Sequence, residues 1–115
     1  MEYRMLGKDL NVSAIGFGCM GMTHAFGAPA DTKEMTRVLA QAVDMGYTYF
    51  DTAQCYTGVN ADGSIAYNEE LVGTALKPYR NTIILATKCG VRHLGEHLEM
   101  DSRRETIRNP YRIDF

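Results

Sequence analysis

The clearest pattern in the chain is an apolar stripe at helical spacing: Met35, Val38, Leu39, Ala42 and Val43. Asp31 stands before it as an N-cap, Glu34 follows three residues on as in a capping box, and Gly46 falls where a left-handed residue closes a helix. Apolar runs of another kind lie on either side. Ser13-Ala14-Ile15-Gly16-Phe17-Gly18 is short and glycine-rich and predicts a buried strand. Tyr47-Thr48-Tyr49-Phe50 is aromatic and β-branched and predicts a strand ending at Asp51. Asn68 predicts the cap of a second helix. Glu69 and Glu70 suit its positive end, Leu71, Val72, Ala75 and Leu76 supply its buried face, and Pro78 stops it. Ile83-Ile84-Leu85-Ala86-Thr87 is the continuous apolar run of a parallel strand covered on both faces, with Lys88 at its end.

Shorter signals fill the gaps. Tyr3 to Leu6 and Leu10 to Val12 flank Gly7-Lys8-Asp9 and predict a hairpin. Gly21, Gly27 and Pro29 make Cys19 to Ala30 a loop that excludes a helix, and Thr52 to Tyr67 reads as a long polar loop. Ser102-Arg103-Arg104-Glu105 is a second capping box, opening a helix of about two turns before Pro110. The order is a hairpin, then β-α-β-α-β, then a stub of helix. The predicted class is α/β, a parallel sheet with right-handed crossovers.

Composition narrows the function. The 115 residues carry 12 basic and 14 acidic side chains, a net charge of −2, and 45% are hydrophobic, the balance of an ordinary globular domain. There is no basic excess of the kind nucleic-acid binding needs. No run approaches the roughly 18 apolar residues of a membrane span, and the N-terminus has no apolar signal core, so a cytoplasmic location is expected. Cys19, Cys55 and Cys89 form no C-x-x-C pair. They are expected to be separate thiols rather than a disulfide framework or a metal cluster. Gly16-Phe17-Gly18-Cys19-Met20-Gly21 matches the G-x-G-x-x-G dinucleotide fingerprint, but no helix can open directly after it, so the Rossmann reading is rejected.

Asp51, Tyr56 and Lys88 have a shared address. Asp51 and Tyr56 lie at and just after the end of the second predicted strand, and Lys88 lies at the end of the third. In a parallel sheet these are neighbouring C-terminal ends, where α/β proteins place their sites. A free tyrosine phenol has a pKa near 10, too high for easy proton donation at neutral pH, and a lysine cation beside it lowers that value. An aspartate would hold the lysine in place and keep it charged. The ordinary alternative is a packing tyrosine beside a simple ion pair.

Several stretches together resemble the aldo-keto reductase family. They are Leu6-Gly7, the run from Val12 to Met22, Phe50-Asp51-Thr52-Ala53, Cys55-Tyr56, Asn68-Glu69-Glu70-Leu71-Val72-Gly73, Ala75-Leu76 and Ala86-Thr87-Lys88, in the family's order and spacing from about residue 3 to 90. The resemblance implies a (β/α)₈ barrel that reduces aldehydes and ketones, small carbonyl substrates, with NADPH. It implies Tyr56 as general acid, Lys88 and Asp51 as the pair that tunes it, and Gly18, Cys19 and Met20 beside the cofactor, with Asp51 near its ribose. The hairpin would plug the bottom of the barrel.

The pattern departs from the family's in one catalytic group. The family carries a further histidine at the end of the fourth strand, and none of His24, His93 and His97 is placed there; all are read as loop histidines. Arg112-Ile113-Asp114-Phe115 resembles the opening of that strand. A complete barrel takes roughly 250 residues, so the expectation is its N-terminal part, about three βα units. Such a chain is expected to bind NADPH weakly or not at all and to reduce carbonyls negligibly by itself. It could instead be a non-catalytic module that dimerises or docks through an open sheet edge, or a piece of a split reading frame that works with its remainder.

Overall fold

Gly7 adopts φ +66° and turns β1 (Tyr3–Leu6) back on β2 (Leu10–Ser13) as an antiparallel hairpin, pairing Tyr3 with Ser13 and Leu6 with Leu10. The computed structural model describes residues 1–94 and 97–108, with the backbone alone at 92–94. Every β1 side chain is exposed, and the hairpin is fastened to the body at its base. Ser13 N–H donates to Thr48 Oγ1 at 2.8 Å, Thr48 N–H donates to Ser13 Oγ at 3.0 Å, and the Tyr3 hydroxyl donates to the Gly46 carbonyl at 3.2 Å.

The predicted strand over residues 13–18 shrinks to β3 (Phe17–Gly18). Ser13 belongs to the hairpin and Ile15 is 59% exposed. Gly16 passes so close to Tyr49 that a Cβ there would lie 2.9 Å from its ring, so the chain spends these residues entering the sheet. The segment after β3 contains a single 3₁₀ turn, Met20–Met22, and no α-helix.

α1 (Thr32–Asp44) forms as its pattern predicts. The Asp31 carboxylate accepts the Glu34 N–H at 2.9 Å, and Gly46 closes the helix at φ +96°. α2 (Asn68–Leu76) departs from expectation at its start: no side chain caps it, and Asn68 is instead turned into the interior. Pro78 does not end the coil abruptly; it sits in a 3₁₀ turn, Lys77–Tyr79, that continues the helix.

The sheet runs β3–β4–β7, all parallel, with β4 (Tyr49–Asp51) central and β7 (Ile84–Ala86) on its far side. This is the predicted parallel arrangement of strands joined through helices. Phe50 is fully buried between its neighbours Phe17 and Leu85 in register, and its ring lies 5.7 Å from that of Phe17. Leu39 and Ala42 of α1, and Leu71, Val72, Ala75 and Leu76 of α2, close the same core. Burying side chains of this size contributes about 1.5–3 kcal/mol each, which makes this layer the main source of stability.

Two antiparallel hairpins occupy stretches read as loops. β5 (Thr57–Val59) pairs with β6 (Ile65–Tyr67), and β8 (Val91–Leu94) with β9 (His97–Met100). Val59, Ile65, Leu98 and Met100 are exposed, so these strands lack the inward alternation that marks a half-buried strand. His97 therefore lies on a strand, not in a loop. α3 (Arg104–Arg108) is shorter than the two turns expected, and it is Asp101 rather than Ser102 that organises its entry. The Asp101 carboxylate accepts from the Arg103 backbone and, through both oxygens, from the Arg103 guanidinium at 2.8 Å. The stretch read as a fourth strand, 112–115, lies outside the described residues. Among the described residues no helix is long and apolar enough to cross a membrane.

Candidate active site at the strand ends

The parallel register sets Gly18, Asp51 and Ala86 side by side. Backbone bonds carry the alignment past the strands: Cys19 N–H donates to the Asp51 carbonyl at 2.9 Å, Thr52 N–H to Ala86 at 2.9 Å, and Gln54 N–H to Lys88 at 3.0 Å. These contacts bring Lys88 beside Asp51. Lys88 Nζ donates to Asp51 Oδ1 at 2.5 Å and to the Thr52 carbonyl at 2.8 Å, and it lies 4.9 Å from the centre of the Tyr56 ring. The sequence-predicted group Asp51, Tyr56 and Lys88 is thus brought together at one place.

Both charged side chains remain open to solvent, Lys88 at 50% and Asp51 at 37%. An exposed ion pair contributes only about 0–1 kcal/mol to folding, so this one is poorly explained by stability. Partial burial works against the Lys88 charge, but hydrogen bonds to Asp51 and Tyr56 outweigh it and hold the ammonium above its ordinary range. The group is a fixed cation beside a phenol.

Tyr56 is positioned from behind and beside. Its carbonyl accepts the Thr23 hydroxyl at 2.9 Å and the Asn68 N–H at 3.1 Å. His24 stacks on its ring, with centroids 5.8 Å apart and planes 20° from parallel, and His24 Nδ1 is 2.7 Å from the Thr57 carbonyl. By its sequence position His24 is an ordinary loop histidine; the structure places it against the candidate acid. No spacing signal could have found it, because it depends on how the segment after β3 folds over the β5 strand.

Sequence reasoning also missed the layer beneath. Asn68 is 1% exposed. Its Oδ1 accepts the Thr52 hydroxyl at 2.6 Å, and its Nδ2 donates to the Cys19 carbonyl and to Thr23 Oγ1, both at 2.8 Å. Beside it the Thr87 hydroxyl donates to Glu69 Oε1 at 2.5 Å. Only the type of residue was legible: asparagine before a helix reads as a cap.

The residues expected beside a cofactor share this end of the sheet. Gly18 is exposed, and a Cβ there would meet nothing within 4 Å, so the strand end is open. Met20 is half-buried. The Cys19 side chain is fully buried and faces the core, so only its backbone can border a ligand. Burial, reinforced by the negative charge of Asp51, pushes the Cys19 thiol up to about 12, which leaves it a neutral core group. Cys55 is half-buried and Cys89 exposed; no disulfide joins the three, and among the described residues no cluster of His, Cys, Asp or Glu is arranged to hold a metal.

The described residues suit the reacting end of a nicotinamide cofactor, with an open glycine edge, a carboxylate and a fixed ammonium. They do not suit its phosphates. Both longer helices begin with acids, Asp31 and Glu34 at α1 and Glu69 and Glu70 at α2, which opposes phosphate at the helix N-termini that usually bind it.

A parallel β/α sheet with an ion-paired lysine beside a tyrosine at the C-terminal ends of its strands has the layout of a βα-barrel enzyme. The comparisons make that specific. The aldo/keto reductase family model matches residues 14–111, and the chain belongs to that family, whose members are oxidoreductases. It is 40% identical over 104 residues to a Glycine max protein classed as an aldo-keto reductase, covering 89% of this chain and 28% of that protein. It is 38% identical over 104 residues to the aldo-keto reductase yakc [NADP(+)] of Schizosaccharomyces pombe, covering 89% and 28%. A solved Pseudomonas aeruginosa structure assigned to the aldo-keto reductases superposes with TM-score 0.69 at 28% identity, covering 86% of this chain and 35% of that one. The fold is therefore the N-terminal part of a (β/α)₈ barrel. The chain spans little more than a quarter of the length of these curated relatives.

Proposed function

We propose that this chain carries the proton-donating part of an NADPH-dependent carbonyl reductase acting on a small aldehyde or ketone. The observation that carries the reading is Lys88 Nζ, 2.5 Å from Asp51 Oδ1 and 4.9 Å from the Tyr56 ring centre, at adjacent parallel strand ends. Tyr56 donates its phenolic proton to the carbonyl oxygen of the substrate. The Lys88 ammonium stabilises the phenolate this leaves, and Asp51 fixes the ammonium in place and preserves its charge. NADPH, when bound, supplies the hydride. The open edge at Gly18 and Met20, the Cys19 backbone and the Asp51 carboxylate would border its nicotinamide and ribose end. The pyrophosphate and adenosine would be held by residues other than those described. A cytoplasmic setting goes with this reading, since an exposed thiol such as Cys89 stays reduced there.

The test replaces the corresponding N-terminal part of a full-length aldo-keto reductase with these residues and follows NADPH consumption on a reactive aldehyde. The graft should turn over, and Tyr56→Phe within it should lower kcat by at least about a hundredfold, the usual worth of a positioned general acid. Turnover that survives Tyr56→Phe would overturn the assignment. The 115-residue chain alone should show negligible turnover.

A further inference from the structure

We infer that Asn68 is a positioning residue that fixes Tyr56 and Lys88 relative to each other, through Thr23 on one side and Thr52 on the other. This deepens the proposed function and rests on it for its meaning, though not for its test.

The geometry is a fork with a buried stem. From Nδ2, one arm runs to Thr23 Oγ1 at 2.8 Å, and the Thr23 hydroxyl donates in turn to the Tyr56 carbonyl at 2.9 Å. From Oδ1, the other arm accepts the Thr52 hydroxyl at 2.6 Å, and the carbonyl of that same Thr52 accepts from Lys88 Nζ at 2.8 Å. A further bond from Nδ2 to the Cys19 carbonyl, also 2.8 Å, ties the fork to the segment after β3. The Asn68 backbone joins in, its N–H donating to the Tyr56 carbonyl at 3.1 Å. Tyr56, Lys88 and the β3 end come from different parts of the chain, and the Asn68 side chain bonds to a residue that reaches each of them: Thr23 for Tyr56, Thr52 for Lys88 and Cys19 for the β3 end.

Donor and acceptor arithmetic shows why an asparagine is needed. A side-chain amide has an acceptor oxygen and a donor nitrogen with two hydrogens, and here the oxygen takes one hydroxyl and the nitrogen serves two acceptors. Aspartate would present an acceptor to the Cys19 carbonyl, and leucine would satisfy none. The site is almost wholly removed from water, so these bonds are made within the protein or not at all, and low local dielectric sharpens their directionality. Helix capping could have been done by any Ser, Thr, Asp or Asn; this side chain is directed away from that task.

The experiment reads Lys88 itself, by NMR titration of ¹³Cε-labelled lysine in the 115-residue chain. Tyr56→Phe removes the hydroxyl that supports the ammonium and sets the largest downward shift of the Lys88 midpoint that loss of this contact can produce. Thr23→Val, which keeps the shape and cuts the arm to Tyr56, should move Lys88 part of the way in the same direction, and Thr23→Ser should restore it. Leu39→Val, which loosens the core elsewhere, should lower thermal stability and leave Lys88 unmoved. A Thr23→Val midpoint equal to the parent's, or an equal shift in Leu39→Val, overturns the inference. If Thr23→Val does not fold, the parent chain decides: the Asn68 side-chain amide should resist solvent exchange and show a nuclear Overhauser contact to Thr23, and a rapidly exchanging amide overturns the inference. No step requires turnover, so failure of the reductase reading leaves this result standing.

Discussion

Two polar groups meet behind and in front of Tyr56, and they are built on opposite terms. In front, Lys88 and Asp51 form an ion pair half open to water. Behind, Asn68, Thr23 and Thr52 are neutral, almost fully buried and saturated with hydrogen bonds. Water screens the first pair, so it adds little to folding and keeps its charge available. The second group has no water to fall back on, so each lost partner leaves a desolvated donor or acceptor. The protein places its saturated, neutral polarity inside and the charge that the proposed chemistry would use outside, within one side chain's reach of each other.

That contrast can be broken from the inside first. Asn68→Leu strands the Thr52 hydroxyl and takes one bond each from the Thr23 hydroxyl, which keeps the Tyr56 carbonyl, and from the Cys19 carbonyl, which keeps the Met22 N–H. At about 1–3 kcal/mol for the unmet hydroxyl and about 0.5–1.5 kcal/mol for each of the two other lost bonds, urea denaturation should show a loss of at least about 2 kcal/mol. Leu39→Ala, a purely apolar control in α1, should cost about 2–5 kcal/mol by the cavity it leaves, with the Tyr56–Lys88 contact intact.

Lys88→Met acts on the outer group. Urea denaturation should change by less than about 1 kcal/mol, while carbonyl reduction in the grafted enzyme falls at least about tenfold. A large stability loss with turnover intact would reverse the comparison. The smallest effect is in pH. Lys88 is held above its ordinary range in the folded chain, so folding gains from its charge at all pH below the unfolded lysine range near 10.4 and loses that gain as pH climbs through the higher folded midpoint. The difference should be small, visible as a steeper alkaline fall in thermal stability for the parent than for Lys88→Met.

The open side of the sheet offers a separate measurement. Among the described residues β7 closes the three-stranded sheet at one end and β3 at the other, and unpaired strand edges invite association. Light scattering on the isolated chain should report a dimer or larger species; a strict monomer at high concentration would count against edge pairing.

The legible and illegible parts of the molecule divide along the same physical line. α1 is legible because its stripe, cap and terminal glycine all point to one structure, and Asp51 and Lys88 are legible because they end, or follow within two residues of, strands with plain apolar runs. The β5–β6 and β8–β9 hairpins were not, since their strands hold three or four residues each and keep large apolar side chains such as Val59 and Leu98 exposed. Asn68 was misread for a deeper reason. Cap and buried fork use the same chemistry, and only the approach of Thr23 and Thr52 from distant positions decides between them. His24 is alike in this, a loop residue by sequence and a neighbour of Tyr56 by the path of its segment.

Gly58 turns these separate loops into one piece. It lies on β5 next to Thr57, whose carbonyl holds His24, and a side chain here would run into the Thr23 carbonyl and the Pro29 ring. The β5–β6 hairpin and the segment after β3 are therefore pressed together with no slack. A length change or a rotation in either is transmitted directly to the other, and through it to the ring of Tyr56. Variation in this wall is accordingly constrained to occur in both segments together, or at the exposed Ala61 of the tip; Gly63 beside it has open space but a φ of +86° that strains any larger side chain.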